Sequence, residues 1–364
     1  MVLRVIYVIF YKIITNRKQR VVLNGMESNW DDIRAGVSQG SVLGPLLFLI
    51  YINDLEEGIE SQVKFFADDT SLFSIIKDPM VSADNLQHDL NSISEWACQW
   101  KMSFNPDPTK QAEEILFSHK IVRVDHPPLH FNNIKVKRVT DHKHLGLTLD
   151  SKLSFVKHIT EKIGNARKGI GIIKHLFTYL PLKTRDQIFK MHIRPHLDYC
   201  DMIYHVPVKT REMSNFDCSR TLQYLMKLLE STQYQAALAV SGAWKGTSRE
   251  KIYEELGWES LDHRRTFRRL TQFYKIMNGL TPGYLKIPVL SLRSHLFGLG
   301  NDLKSIPSKT QRYRNSFFPD TVSLWNDLGP KLRGSESLAV FKRNLLKLYR
   351  PPKKSLFNIY DVGI

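Results

Sequence analysis

Cysteine is scarce in this chain. Three occur in 364 residues, Cys98, Cys200 and Cys218, far apart and odd in number. No C-x-x-C pair is present, which argues against a zinc site and against a disulfide framework. An intracellular setting, nucleus or cytoplasm, is expected rather than secretion. Long apolar runs are lacking too. The N-terminal stretch VLRVIYVIFYKII is interrupted by Arg4 and Lys12. It is too short to span a bilayer, and no small-residue cleavage site follows it. It reads as a helix or strand rather than a targeting segment, so no transmembrane helix is expected. Internal repeats and low-complexity tracts are also missing.

What the chain has in excess is positive charge, +16 overall with a pI near 9.6. Such an excess calls for a polyanionic partner, either nucleic acid or an anionic membrane. The charge is unevenly spread. Residues 1–130 sum to −5, 131–190 to +9, 191–240 to 0 and 241–364 to +12. Chemistry on a cation and grip on a polyanion would divide along that line.

Along the chain a composition shift follows about residue 240. Residues 17–40 read as a hairpin, because Asn24-Gly25 is a strong turn signal after Val21–Leu23. SVLGPLLFLIYINDL, residues 41–55, is apolar nearly all round and is expected to be a buried helix capped by Ser41. Residues 82–101 form an amphipathic helix with Leu86, Leu90, Ile93, Ala97 and Trp100 on one face and Ser82 as its cap. AEEILFS and HLGLTLD look like short strands. From His158 onward Ile159, Ile163, Ala166, Ile170, Ile173 and Phe177 share a helical face. Pro181 starts another helix, and TSRE at 247–250 reads as a capping box. In the helix after Ser260, Phe267, Leu270, Phe273, Tyr274 and Met277 take one face, and Arg264, Arg265, Arg268 and Arg269 the opposite one. Four arginines without intervening acids repel one another, so an anion-binding face is as good a reading as a solvated one. At 335–348, Leu338, Phe341, Leu345 and Leu348 point inward.

FFADDTSLF, residues 65–73, sets Asp68 and Asp69 between greasy arms. A buried, unpaired carboxylate costs several kcal/mol. The stretch is therefore either a β-turn, where Asp is common, or the ligand pair of a bound cation.

GVSQGSVLGPLLFLIYINDL followed by FFADD, with 28 residues from Gly40 to Asp68, resembles the reverse transcriptases of non-LTR retrotransposons, the jockey-like long interspersed elements. The resemblance continues through WACQWKMSFNPDPTK, VTDHKHLGLTLDSKLSF, RPHLDYCD, SGAWKGTSREKIYEELGWESLDHRR and FKRNLLKLYRPPKK, covering about residues 16 to 358. It implies an α+β fold. An incomplete right-hand polymerase palm, an antiparallel sheet with packed helices, would fill 1–150. A helical thumb would follow at 151–240, then a basic, mostly helical region at 241–364. It implies RNA-directed DNA polymerase activity, an in-line phosphoryl transfer assisted by two Mg²⁺ (or Mn²⁺) ions. Asp68 would be the metal ligand and Asp69 a helper or weaker ligand. Gly36, Gln39, Gly40 and Ser41 would line the template and nucleotide pocket. Ser38 stands where the family more often has proline. Lys110 matches a lysine sometimes assigned to protonating pyrophosphate, and HLGLTLD the hairpin that holds the primer end. Lys162, Arg167 and Lys168 would touch the nucleic-acid backbone, as would the four arginines of 264–269. The implied partners are an RNA template, a DNA primer and deoxynucleoside triphosphates, with no membrane.

One element of that pattern is missing. The polymerases need a further acid on a strand upstream of the glycine loop, in a pattern like F-x-D-x-x-x-A-F-D. Residues 1–35 offer only Glu27, Asp31 and Asp32, and the last two precede the glycine loop on the wrong strand. The expectation is a catalytically impaired palm-and-thumb fragment, truncated at its N-terminus. The alternative is a non-catalytic RNA- or DNA-binding remnant of a retroelement.

Overall fold

A computed structural model describes residues 15–33, 36–37, 40–104, 112–120, 125–206, 218–285 and 303–349. The chain divides into two compact units. One comprises residues 1–114 with 118–139, the other 115–117 with 140–364. The fold is mixed, small antiparallel hairpins in the first unit and mostly helices in the second.

In the first unit, Asn24-Gly25 forms the expected turn, with both residues at positive φ, and Leu23 pairs with Met26. Around it Arg17–Gln19 pairs with Asp31–Ile33. The helix Pro79–Gln99 buries Ala83, Ile93 and Ala97, with Leu86 and Leu90 packing around Leu129 and Val136. It begins before Ser82, at an Asp78 cap whose carboxylate accepts from Met80 N at 2.8 Å and Val81 N at 3.1 Å. Trp100 is left 41% exposed just past its end. Asp89, fully buried, accepts from Glu60 N and Ser61 N, both at 2.9 Å, so its charge is met by backbone donors.

Two expectations fail in this unit. The helix Gly44–Tyr51 is not buried all round. Leu46, Leu49 and Ile50 are about half exposed, and only Gly44 is enclosed. Nor do the strands join into one sheet. Among the described residues there are six two-stranded sheets, of strands only two to five residues long. A two-stranded ladder covers little apolar surface, so the helix has no sheet face to lie on.

The second unit is built differently. Its first element is the hairpin Asp141–His144 with Leu147–Asp150. This hairpin was grouped with the first segment on sequence, yet it packs here, because Leu147 joins the core of the helices that follow. Thr148 N donates to His158 Nδ1 at 3.2 Å. Asp150 accepts from Lys152 N, Ser154 N and Phe155 N, which sets the entry into the helix Val156–His175. That helix buries Ile159, Ile163, Ala166, Ile170 and Ile173 to 4% exposure or less, the expected face without Phe177. It lies against the helix Cys218–Ser241. Leu182–Ile188, Arg194–Asp198 and Asp201–Tyr204 complete this layer.

The helix Leu261–Met277 belongs to two cores. Leu261 closes the first, while Leu270, Phe273 and Tyr274 open a second with Val322, Trp325, Phe341 and Leu345. The boundary expected near residue 240 therefore falls inside a continuous layer. The Thr247–Glu250 capping box does not form. Ser248 is the cap residue of Arg249–Leu256, and the Thr247 hydroxyl turns back to Trp244 O. In Leu338–Tyr349, Leu348 lies outside the inward face, at 62% exposed.

Candidate metal centre and nucleic-acid faces

Strands Gln62–Phe66 and Asp69–Phe73 pair antiparallel, Phe66 opposite Asp69 and Val63 opposite Leu72. The connection is two residues, Ala67 and Asp68, with Ala67 at φ 52°. Such a connection needs backbone outside the usual right-handed range, which matches the right-handed twist of the flanking strands. Asp68 therefore stands at the tip, and Asp69 opens the return strand. Both carboxylates are exposed, as is Phe66, while Val63, Phe65 and Leu72 are half-buried. The flanks are less enclosed than their composition implies, so the aspartates carry no burial penalty.

The glycine loop is partly described. Gly36 and Gly40 have φ of +76° and +80°, values open to glycine and strained for other residues. The Arg17 guanidinium donates to Gly36 O. Ser41 Oγ accepts from Gly44 N at 3.0 Å, but the cap position of the helix Gly44–Tyr51 is taken by Leu43 and not by Ser41 as expected. Gln39 and Lys110 lie outside the described residues. Asp31 and Asp32 are exposed on the strand paired with Arg17–Gln19, and Lys18 Nζ lies 3.8 Å from Asp32.

In the second unit, Arg167 and Lys168 are exposed on the helix Val156–His175, on the side away from its isoleucines. Lys162 is half-buried, with its ammonium 5.1 Å from the centre of the Tyr199 ring.

The arginines of 264–269 overturn their reading as an anion-binding face. Arg264, Arg265 and Arg269 are 5%, 2% and 0% exposed. Arg264 Nη2 donates to Asp198 at 2.8 Å. Arg268 bonds Asp198 at 3.1 Å and also Asp201. Arg265 donates to Leu197 O at 3.1 Å, with its Nε 3.6 Å from Asp201. Arg269 pairs with Asp320 at 2.5 Å and donates to His205 O at 3.1 Å. The acids that quench the repulsion come from other helices, at positions 198, 201 and 320. Burial works to raise the Asp198 carboxyl, but Arg264 and Arg268 outweigh it and hold it well below the usual range. At Asp201 burial wins over Arg268 and Arg265, and the carboxyl is raised. The pair HLDYCD, with acids three apart, was the available signal for this cluster. Its charge was visible, but its partners were not.

As for a metal, Asp68 and Asp69 offer two adjacent hard oxygen donors, which suits an ion that takes its other ligands from water and phosphate. Among the described residues no three His, Cys, Asp or Glu side chains come together to hold one. The donor set thus fits an ion bound jointly with substrate, and not a complete two-ion cage. Among the described residues, no helix is long and apolar enough to cross a membrane.

Comparison with known proteins adds to this geometry. Residues 7–149 match the family "Reverse transcriptase (RNA-dependent DNA polymerase)". The chain is similar to the RNA-directed DNA polymerase from mobile element jockey of Drosophila funebris. Identity is 31% over 206 residues, which is 53% of this chain and 22% of that protein. With the jockey polymerase of Drosophila melanogaster it is 27% over 218 residues, 56% of this chain and 23% of the relative. With the probable RNA-directed DNA polymerase from transposon X-element of that species it is 29% over 193 residues, 50% and 20%. The chain spans about a fifth of the length of these curated relatives. No solved structure matches. Reverse transcriptases generally use divalent metal ions, and the matched segment contains the Asp68–Asp69 hairpin. These matches support a reverse transcriptase domain of the non-LTR retrotransposon type in the matched part of this chain.

Proposed function

We propose that this chain contributes the metal-binding hairpin and a nucleic-acid-gripping face to RNA-directed DNA synthesis. The observation that carries the reading is the two-residue turn presenting Asp68 and Asp69 within the matched segment. The finer assignment is a partial palm over residues 1–150 and a thumb over residues 151–240. Asp68 would be the principal ligand of Mg²⁺ or Mn²⁺ and Asp69 its helper. The ion, when bound, supplies charge stabilisation to the phosphoryl oxygens. The strand pair would present Asp68 at its tip and Asp69 at the start of the return strand, so that little backbone reorganisation would be needed on binding. Gly36 and Gly40 would let backbone come close to template and nucleotide, with Gln39 beside them, and Lys110 would serve the leaving pyrophosphate. The substrates would be an RNA template, a DNA primer and deoxynucleoside triphosphates.

On this reading the chain by itself extends a primer negligibly, because two carboxylates are asked to do the work of three. Losing a ligand that organises both ions removes several kcal/mol of transition-state stabilisation, about three or more decades in rate. Labelled-nucleotide incorporation on an RNA template, with Mg²⁺ or Mn²⁺, is expected to match the Asp68→Ala control. Robust incorporation that depended on Asp68 would overturn the impairment. Metal binding tests the hairpin separately. Asp68→Asn is expected to weaken Mn²⁺ binding, followed by electron paramagnetic resonance, at least tenfold, and an unchanged affinity would remove the ligand assignment.

The absence of a third acid near the hairpin, among the described residues, favours one other reading, a nucleic-acid-binding module without catalysis. It predicts binding that survives loss of Asp68. In both readings Arg167 and Lys168 make phosphate contacts. Their joint change to Gln is expected to flatten the slope of log K against log salt by up to about 1.8. An unchanged slope would return them to an ordinary solvated helix face.

A further inference from the structure

Two segments of the second unit carry large aromatic side chains in solvent, and the fold brings them together. Trp244 is 88% exposed and Tyr179 is 79% exposed. Tyr179 ends the short 3-10 turn Phe177–Tyr179 after the helix Val156–His175. Trp244 follows Gly242, the residue after the helix Cys218–Ser241. The contact between them is made by Phe177 and Gly242. A Cβ on Gly242 would come within 2.5 Å of the Phe177 ring, so the ring rests directly on that backbone. The Arg185 guanidinium covers Phe177 from another side, 3.7 Å from its centre.

Single exposed aromatics are ordinary on protein surfaces. This pair differs in three respects. First, the Trp244 backbone is held. Thr247 N and Oγ1 donate to Trp244 O at 3.1 and 2.8 Å, and Tyr234 OH donates to Thr247 O at 2.6 Å. The turn that carries the exposed indole is thus fixed by hydrogen bonds. Second, both segments are basic. Residues 174–185 contain Lys174, Lys183 and Arg185 and no acid, and Lys245 adjoins Trp244. Lys174, Lys183 and Lys245 are exposed. Third, the junction of the two segments is itself at the surface, since Phe177 and Gly242 are both exposed. Exposed rings in segments that also carry exposed lysines match a ligand that alternates flat apolar faces with anions, which is single-stranded nucleic acid.

We propose that Trp244 and Tyr179 form a stacking surface for single-stranded RNA or DNA, with Lys174, Lys183 and Lys245 taking its phosphates. It lies on other residues than the Asp68–Asp69 hairpin and the Arg167–Lys168 face. It rests on the nucleic-acid partner of the reading above, not on its metal chemistry. Unpaired bases bind here because every base has a face to stack, while a duplex, whose faces are covered, does not.

The test uses the full chain, a fluorescent oligouridylate and an RNA–DNA duplex of equal length, read by anisotropy. Trp244→Ala is expected to weaken oligouridylate binding roughly 5- to 150-fold, the range for losing one stacked base, and to leave the duplex affinity within about twofold. Trp244→Phe should restore most of the loss, and the thermal midpoint should not move, because the ring is exposed. Cross-linking of 5-iodouridine oligonucleotide to Trp244 or Tyr179 would locate the contact directly. Unchanged oligouridylate affinity in Trp244→Ala, with duplex binding intact, overturns this surface alone. No binding of either nucleic acid by the wild-type chain overturns the gripping reading as well. Trp244-dependent binding to phosphatidylserine vesicles with oligouridylate affinity unchanged would likewise overturn the proposal and make the patch a membrane contact.

Discussion

Arg269→Gln is expected to cost the second unit roughly 3–5 kcal/mol, the range for removing one partner of a buried ion pair. Arg269 is fully buried, and its partner Asp320 has a side chain only 9% exposed. The change removes the Arg269 guanidinium from the buried Asp320 carboxylate, and it also strips the His205 and Met202 carbonyls of a donor. A loss of this size is a large share of a domain's net stability. Urea unfolding followed by far-UV circular dichroism would measure it. Pairing the change with Asp320→Leu should recover part of the loss, since much of the cost is a buried charge deprived of its guanidinium and not the missing attraction. A single-variant loss under about 1 kcal/mol would mean that water reaches Asp320. The same logic bears on nucleic-acid binding. Removing all four arginines of 264–269 would reduce affinity by unfolding, so only a salt slope measured on a folded variant speaks for phosphate contacts.

Acidification between pH 6.5 and 4 is expected to destabilise the same unit by about 3 kcal/mol through His205 alone. Burial pushes this imidazole from 6.5 down to about 4, against the hydrogen bond with Asp262 that works to raise it. Its ring accepts from Arg265 Nη1 at 3.4 Å on Nδ1 and faces Asp262 at 3.4 Å with Nε2, an arrangement suited to the neutral form. Arg265 and Arg269 nearby also disfavour a second positive charge. Between pH 6.5 and 4 the unfolded chain holds a proton on this residue that the folded chain does not. Stability is therefore complete above 6.5 and falls as pH drops toward 4. Asp201 acts with the opposite sign over the lower part of that window, because its raised carboxyl takes up a proton in the folded state first. The lowered Asp262 and Asp198 add their losses only as pH falls below the ordinary carboxylate value. Comparing wild type with His205→Gln isolates the histidine. The variant's unfolding free energy should change far less from pH 7 to pH 4.5, and parallel curves would show that the imidazole protonates in place.

Local signals carried well where one short stretch contains all the information. Asn24-Gly25 turned where expected, and FFADD made a hairpin, because turn chemistry acts over four residues. The isoleucine stripe of 159–173 is buried as its period implied. Failures came where a distant partner decides. SVLGPLLFLIYINDL has the composition of a core helix, yet burial needs a second surface, and the short ladders do not provide one. Ser82 lost the cap to Asp78, whose carboxylate reaches Met80 N and Val81 N from the position before Pro79. Of the candidate site, the hairpin that carries Asp68 and Asp69 and the exposed position of Arg167 and Lys168 were legible. The arginine cluster was misread, and Trp244 went unremarked, since exposure is a property of the folded surface.

The sequence by itself determined the resemblance to reverse transcriptases, the acidic hairpin and its turn, and the inward faces of the long amphipathic helices. Each depends on neighbours within a turn or two of chain, where periodicity and steric preference act. Tertiary structure alone decided the fate of charge. Arg264, Arg265, Arg268 and Arg269 look like a polyanion-binding stripe until Asp198, Asp201 and Asp320 arrive from other helices. Coulomb interactions strengthen as water is excluded, so whether a guanidinium meets a phosphate or a carboxylate depends on which one the packed fold brings within about 4 Å.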